Sequence, residues 1–350
     1  MSMIELFVPG RLCLFGEHSD WAGSLRAEDQ SIAPGRCILT GTDQGITATA
    51  EPAAEFELIS RLPDGTVRGP YHLPMDAAAL REMARAGDFA SYAAGVVAEL
   101  CDSHRPPGLR LVVTGTDLPI GRGLSSSAAI CVLVARAFNR VHDLGLDVRA
   151  EMEVAYRGEL AAGSQCGRMD QACAFGRRVV VLGLDGQAMS IELLQTAQPL
   201  HLLVVDLLHE KNTRRILADL NKVFRTPNDG RHGPLREALG ERNLDITSRA
   251  QTALVAGDAA TLGALMIEAQ RLFDQAVVPA SPTELRAPRL HSVLAHPAAR
   301  ELAWGGKGVG SQGDGAAQIV CRDPDARAAL ARELMRTADV RCWPLDVLPH

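Results

Sequence analysis

From Ala128 to Val141 the chain is apolar on nearly every face of a helix, AAICVLVARAFNRV. A helix with no polar side has to be enclosed by protein all round. It therefore marks the centre of a sizeable domain, and the rest of that domain must be built about it. The helix is entered directly from Pro119-Ile-Gly-Arg-Gly-Leu-Ser-Ser-Ser-Ala-Ala129, with no linker. Glycines let a backbone approach a ligand closely, and serine hydroxyls supply hydrogen bonds and an oxygen for a hard cation. A helix start adds unpaired N–H groups at the positive end of its dipole, an arrangement that suits phosphate. Taken alone, such a segment is more often a Gly/Ser loop with a serine N-cap. It is not a Walker A sequence, which needs Gly-Lys-Ser/Thr.

The 350 residues, 47% of them hydrophobic, allow a large core and suit two domains better than one. A formal net charge of -6, with no clustered Lys and Arg, argues against nucleic acid as a partner. It does not exclude ATP, which is held by backbone N–H groups and a few local charges. The eight cysteines form no C-x-x-C pair and no zinc-type spacing. Reduced thiols in a cytoplasmic protein are expected. No apolar run approaches the roughly 20 residues of a membrane span, and the N-terminus shows no signal-peptide pattern. The lone histidines have no metal spacing and read as structural or surface residues.

Short apolar runs at Ile4–Val8 and Leu12–Phe15 read as strands around a turn at Pro9-Gly10. Cys37–Ala50 reads as a bent strand or hairpin. Further strands are expected at 56–60, 109–114, 179–184, 202–207, 318–321 and 340–343. Helical spacing is found over 89–100, 148–162, 212–224, 246–255, 259–273 and 326–335, with a polar loop at 227–233. Strands and helices mixed without β-α alternation point to an α+β fold. A boundary is expected near Gln195–Pro199, between an N-terminal domain, 1–195, and a C-terminal domain, 196–350.

Three other segments concentrate chemistry. Pro9-Gly10-Arg11 is followed by Gly16-Glu17-His18-Ser19-Asp20-Trp21, which groups Arg, Glu, His and Asp behind an apolar strand. That cluster suits a ligand with several hydroxyls, although mixed charge also occurs in plain surface loops. Cys166-Gly-Arg-Met-Asp170-Gln171 places an aspartate just after a glycine break. An Asp there is by itself more often a turn or cap residue. Trp304-Gly-Gly-Lys307-Gly-Val-Gly310-Ser-Gln312-Gly-Asp314-Gly315 is a second glycine-rich stretch. Lys211-Asn212-Thr213-Arg214 is either a substrate-facing basic segment or a helix N-cap.

P-x-x-x-G-L-S-S-S-A-A resembles the phosphate-binding motif of GHMP kinases. The Pro9–Trp21 segment is similar to the galactokinase signature P-G-R followed by G-E-H-x-D-Y, with Trp21 in place of Tyr. Mevalonate kinases usually carry Lys at the position of Arg11. The Cys166–Gln171 segment is similar to the catalytic-aspartate segment of galactokinases. Glu159, on a predicted helix eleven residues earlier, has the mevalonate-kinase spacing. The Lys307–Gly315 stretch resembles the K-x-T/S-G-A-G-x-G-G motif, with Gln312 and Asp314 replacing glycines. Four segments in the family's order cover most of the chain.

The resemblance implies two α+β domains with the active site in the cleft between them. It implies ATP on Gly121, Gly123, Leu124, Ser125, Ser126, Ser127 and Ala128, and Mg²⁺ on Ser127 and Glu159. Asp170 would be the base with Arg11 beside it, while Glu17, His18, Asp20, Gly310 and Gln312 would hold the acceptor. An added carboxylate at Asp314 would repel phosphates unless something intervened. The expected reaction is phosphorylation of a sugar or sugar derivative at its anomeric C1 hydroxyl. Other acceptors of the same fold are a sugar acid, a cyclitol or a mevalonate-like alcohol. A non-catalytic sugar sensor is the reading of another class, against which the intact Asp170, Glu159 and serine motif argue.

Overall fold

The computed structural model describes residues 3–62, 64–119 and 123–349. In chain order the first elements are β1 (Ile4–Phe15), α1 (Ser19–Ser24), β2 (Gly35–Pro52), β3 (Phe56–Arg61) and β4 (Val67–Leu73). Then come α2 (Ala77–Arg85), α3 (Ser91–Ser103), β5 (Leu109–Thr116), α4 (Ser126–His142) and α5 (Val148–Ala161). A 3-10 turn, Asp170–Phe175, leads to β6 (Val179–Asp185), β7 (Ala188–Leu194) and β8 (Leu200–Asp206). Helices α6 (Thr213–Phe224), α7 (His232–Leu239), α8 (Glu241–Ala256), α9 (Ala259–Ala276) and α10 (Pro282–Leu285) follow. The chain ends with α11 (Pro288–Leu294), α12 (Pro297–Leu302), β9 (Ala303–Gly308), β10 (Ala316–Cys321), α13 (Pro324–Thr337) and β11 (Arg341–Val347).

These elements form two compact units that interleave along the chain. One comprises Met1–Arg11, Gly41–Ile120 and Leu124–Arg177. The other comprises Leu12–Thr40, Gly121–Gly123 and Arg178–His350. Strands β1 and β2 thus contribute residues to both. The boundary read near Gln195 follows the order of motifs, whereas these units are defined by packing.

In the first unit the strand order is β4-β3-β5-β2, with β3 parallel to β5 and the other pairs antiparallel. Helix α4 packs against α3, α5 and β5. Ala128, Ala129, Cys131–Ala135, Ala137 and Phe138 are all fully buried, as a helix without a polar face requires. Its one buried cation, Arg136, donates to Glu151 Oε2 at 2.9 Å and to the Ala174 carbonyl at 2.6 Å. Phe138 meets Phe56 edge-on at 5.3 Å between ring centroids, tying α4 to the sheet. Asp147 caps α5 by accepting from the Ala150 N–H at 2.8 Å.

In the second unit β2 (at Gly35–Thr40) pairs with β6, and β6 with β7. A four-stranded antiparallel sheet runs β11-β8-β10-β9. One apolar cluster gathers Ile216, Leu220, Phe224, Leu235 and Phe273 from α6, α7 and α9. A second joins Leu203, Val205, Leu290, Ile319 and Leu330 around the four-stranded sheet.

Three expectations are corrected. Pro9-Gly10 is not a turn, because β1 runs unbroken for 12 residues through it. The stretch about Gly41–Gly45 is not a hairpin but lies inside the 18-residue β2. Small residues are needed at both places for another reason. A Cβ on Gly10 would stand 2.9 Å from the Leu124 carbonyl, and one on Gly41 would stand 2.1 Å from the Gly176 carbonyl. The polar loop at 227–233 is shorter than expected, with α7 starting at His232.

Candidate active site

In the first unit, β1 delivers Arg11 and the 3-10 turn delivers Asp170. Arg11 Nε donates to Asp170 Oδ1 at 3.1 Å, and its Nη2 makes a second short contact to the same oxygen. Arg11 is 3% exposed, whereas the Asp170 side chain keeps 20% exposure, so the carboxylate can still meet a ligand. The Arg11 N–H donates to the Leu124 carbonyl at 3.1 Å. Gly10 permits that close approach. The Pro-Gly-Arg segment therefore braces the serine-rich loop directly.

That loop ends in Ser125, which stands in the left-handed region (φ 56°) as the residue before α4 and makes no side-chain cap. The N–H groups of the helix's first turn are thus not occupied by it. Ser125, Ser126 and Ser127 are partly exposed, while Leu124 and Ala128 are buried anchors. A loop and helix start of this kind fit an anionic phosphate group. Gly121 lies outside the described residues.

Glu159, on α5, is 2% exposed and is gripped on both oxygens. Gln171 Nε2 donates to Oε2 at 2.7 Å and Ser164 Oγ donates to Oε1 at 3.4 Å. The Ser127 side chain also bonds it. Burial, helped by the charge of nearby Asp170, pushes the Glu159 carboxyl up to about 7 against those hydrogen bonds. A buried carboxyl facing a second carboxylate is a place where a hard cation relieves electrostatic cost. Among the described residues no group of three or more His, Cys, Asp and Glu converges. A cation here would have Glu159 and Ser127 from the protein and take its other ligands from phosphate and water. That donor set fits Mg²⁺.

In the second unit, Gly16 (φ 94°) bends the chain where a Cβ would fall 2.2 Å from the Arg36 carbonyl. The next residues, Glu17, His18 and Asp20, are 7%, 2% and 1% exposed. His18 is itself left-handed (φ 68°), a strained choice for a non-glycine residue. Its Nδ1 accepts from Trp21 Nε1 at 3.1 Å, and its ring stacks on Phe273 at 6.0 Å. Trp21 packs edge-on against Phe224 at 5.3 Å. The Trp21 indole thus orients His18.

Glu17 forms a buried ion pair with Lys307, whose Nζ also donates to the Gly308 carbonyl at 3.0 Å. Lys307 is 1% exposed. It was missed as a site residue, although it opens the glycine-rich stretch. Pairing across 290 positions leaves no local signal. Gly123 (φ 80°) and Gly310 (φ 63°) press together, since a Cβ on Gly310 would meet Gly123 Cα at 3.1 Å. Gln312 is left-handed (φ 62°), 1% exposed, and its Oε1 has no hydrogen-bond partner among the described residues.

Asp314 does not present a bare carboxylate. Its Oδ1 accepts from the Leu290 N–H at 2.9 Å in the first turn of α11. In the basic segment Asn212 caps α6 by accepting from the Arg215 N–H at 3.0 Å. Lys211 Nζ donates to the Gln312 carbonyl at 2.8 Å, bracing the glycine-rich loop.

Residues 91–177 match the family profile of the GHMP kinases N terminal domain. The galactokinase of Pyrococcus furiosus is 29% identical over 207 residues, 58% of this chain and 53% of that protein. The galactokinase of Thermococcus kodakarensis is 28% identical over 204 residues, 57% of this chain and 52% of that one. The chain thus spans about half the length of these relatives. The galactose complex of Lactococcus lactis galactokinase superposes with a TM-score of 0.74 at 17% identity, covering 99% of this chain and 94% of that one. The R-mevalonate complex of L. major mevalonate kinase gives 0.72 at 20% identity, covering 99% and 96%. Residues 91–177 thus match the N-terminal domain of the GHMP kinases, and the chain shares the fold of these two kinases along essentially its whole length.

Proposed function

We propose that this protein is an ATP-dependent small-molecule kinase that phosphorylates a sugar-like acceptor, at its anomeric C1 hydroxyl. The observation that carries the reading is the Arg11–Asp170 pair. A partly exposed carboxylate is fixed by a buried guanidinium in the unit that also holds Glu159 and the serine loop. Phosphoryl transfer asks the protein for position and charge more than for covalent chemistry. Asp170 accepts the proton of the acceptor hydroxyl. Arg11 orients Asp170 and offers positive charge to the group in flight. The loop from Gly123 to Ala128 and the first turn of α4 receive the phosphates. Mg²⁺ on Glu159 and Ser127 would offset negative charge on the phosphate oxygens.

Glu17, His18, Asp20, Gly310 and Gln312 serve the acceptor. Support for an uncharged acceptor comes from Lys307, whose charge is already met by Glu17. A cation held in this way is a poor clamp for an acceptor carboxylate, which leaves sugar acids and mevalonate-like alcohols as the weaker readings. The deciding experiment is an ADP-release screen of the purified protein against free sugars, sugar acids, cyclitols and mevalonate. Turnover of neutral sugars is expected. Turnover of mevalonate alone would overturn the acceptor class while leaving the kinase reading in place.

A further inference from the structure

Helix α9 presents one face to a cleft that none of the residues assigned to ATP or acceptor lines. Ile267, Gln270, Arg271 and Asp274 recur along it at the spacing of a single helical face. With His291 and Leu294 of α11, Arg300 of α12 and Trp304 of β9, this face lines a cleft of about 660 Å³ in the second unit. That volume lies in the range of small-molecule sites.

Three features make the cleft a built site rather than a gap. First, its charges are unbalanced. Asp274 is met by Gln270 Nε2 at 2.9 Å and stands 3.5 Å from His291 Nε2. The guanidinium groups of Arg271 and Arg300 make no ion pair or hydrogen bond among the described residues. Two cations without counter-charges therefore border the cleft of a net-acidic chain. Second, Trp304 is 38% exposed there, with the Arg322 guanidinium seated over its ring at 4.7 Å. A flat apolar surface thus lies next to the cations, held from behind. Third, the wall is anchored, because Gln270 also accepts from the Gly308 N–H at 2.8 Å through Oε1. Buried Gln270 is committed on both sides and fixes the depth of the cleft.

We propose that this cleft binds a small organic anion, a phosphate or carboxylate carried on a flat apolar body. Arg271 and Arg300 meet the anionic head through charge-assisted hydrogen bonds. Trp304, Leu294 and Ile267 cover the apolar body. The site is separate from the residues assigned to ATP and acceptor, so it stands whichever acceptor the enzyme uses.

The test is a titration of the full chain, followed by tryptophan fluorescence, with phenyl phosphate, benzoate and inorganic phosphate. A dissociation constant at or below about 1 mM is expected for phenyl phosphate or benzoate. Whichever of them binds identifies the head group. Inorganic phosphate should bind at least about tenfold more weakly, and Trp304→Phe should abolish the signal. The double variant Arg271→Ala/Arg300→Ala should weaken binding at least about tenfold, while turnover without the anion stays within about twofold of wild type. The proposal fails if neither organic anion saturates by about 10 mM, if inorganic phosphate binds as tightly as both, or if the double variant binds as wild type does.

Discussion

Asp170 and Glu159 are two carboxyl groups of one unit in different settings, and the difference suits the separate roles proposed for them. Asp170 is partly exposed and fixed from one side by Arg11. Glu159 is buried and gripped by Gln171 and Ser164. Replacing Asp170 by Asn keeps the shape and removes the proton acceptor. We expect kcat to fall by at least about 10²-fold while ATP binding and the unfolding midpoint hold. Turnover within threefold of wild type would falsify the assignment as base. Glu159→Gln tests the other role. Mg²⁺ with ADP should raise the melting temperature of the wild type by mass action, and this rise should disappear in the variant. A variant still stabilised by Mg²⁺ as the wild type is would remove Glu159 from the metal site. Both residues could be picked from the sequence because they lie in or near a short ordered motif. Gln171 was within the same motif, yet its grip on Glu159 depends on the 3-10 turn at Asp170–Phe175, too short to show a period. Lys307 had no signal beyond its place at the head of a glycine stretch, because its partner is close in space and distant in sequence.

The elements most legible in advance were those with a long hydrophobic period. Helices α4, α5, α6 and α9 lie within a few residues of where the spacing places them. Strands β4 and β7 were not foreseen, and their burial explains why. Six of the seven residues of β4 and of β7 are less than fully buried, so neither carries a clean apolar signal. Helices α10 to α12 have four to seven residues, too few to show helical periodicity. How elements press together was not legible at all. Gly95 on α3 and Gly158 on α5 face each other so tightly that a Cβ on Gly95 would stand 2.1 Å from the Gly158 carbonyl. A Cβ on Gly158 would stand 2.5 Å from Val96 Cα. These glycines set the crossing of α3 and α5, and Glu159 is the very next residue. Gly158→Ala should therefore push α5 outward, destabilise the protein by at least about 2 kcal/mol, and weaken use of Mg²⁺ in whatever fraction stays folded. Chemical denaturation measures the first effect and the Mg²⁺ dependence of turnover the second. A variant as stable as wild type would show that the two helices can part without cost.

At the scale of the whole molecule, the chain does not fold as a first half and a second half. Leu12–Thr40 packs with Arg178–His350, so an N-terminal segment is built into the unit made mainly of C-terminal residues. Motif order along a sequence cannot reveal this, because it is decided by which apolar faces meet. The Glu17–Lys307 ion pair and the Gln318 Nε2 bond to the Cys13 carbonyl, at 2.6 Å, are two buried polar ties of that arrangement. A buried pair is costly to break and cheap to replace, since removing one partner strands the other charge away from water. Lys307→Met should therefore cost about 3–5 kcal/mol, read from the denaturation midpoint. Adding Glu17→Gln to it should restore most of that loss, because no lone charge then remains buried. The same cycle separates architecture from binding. If Glu17 also touches the acceptor, the double variant regains stability but keeps a raised acceptor KM, with the ATP KM unchanged. If Glu17 serves only to hold the fold, stability and acceptor KM return together. A double variant no more stable than Lys307→Met alone would mean that the lysine's packing, and not its charge, ties the N-terminal segment in place.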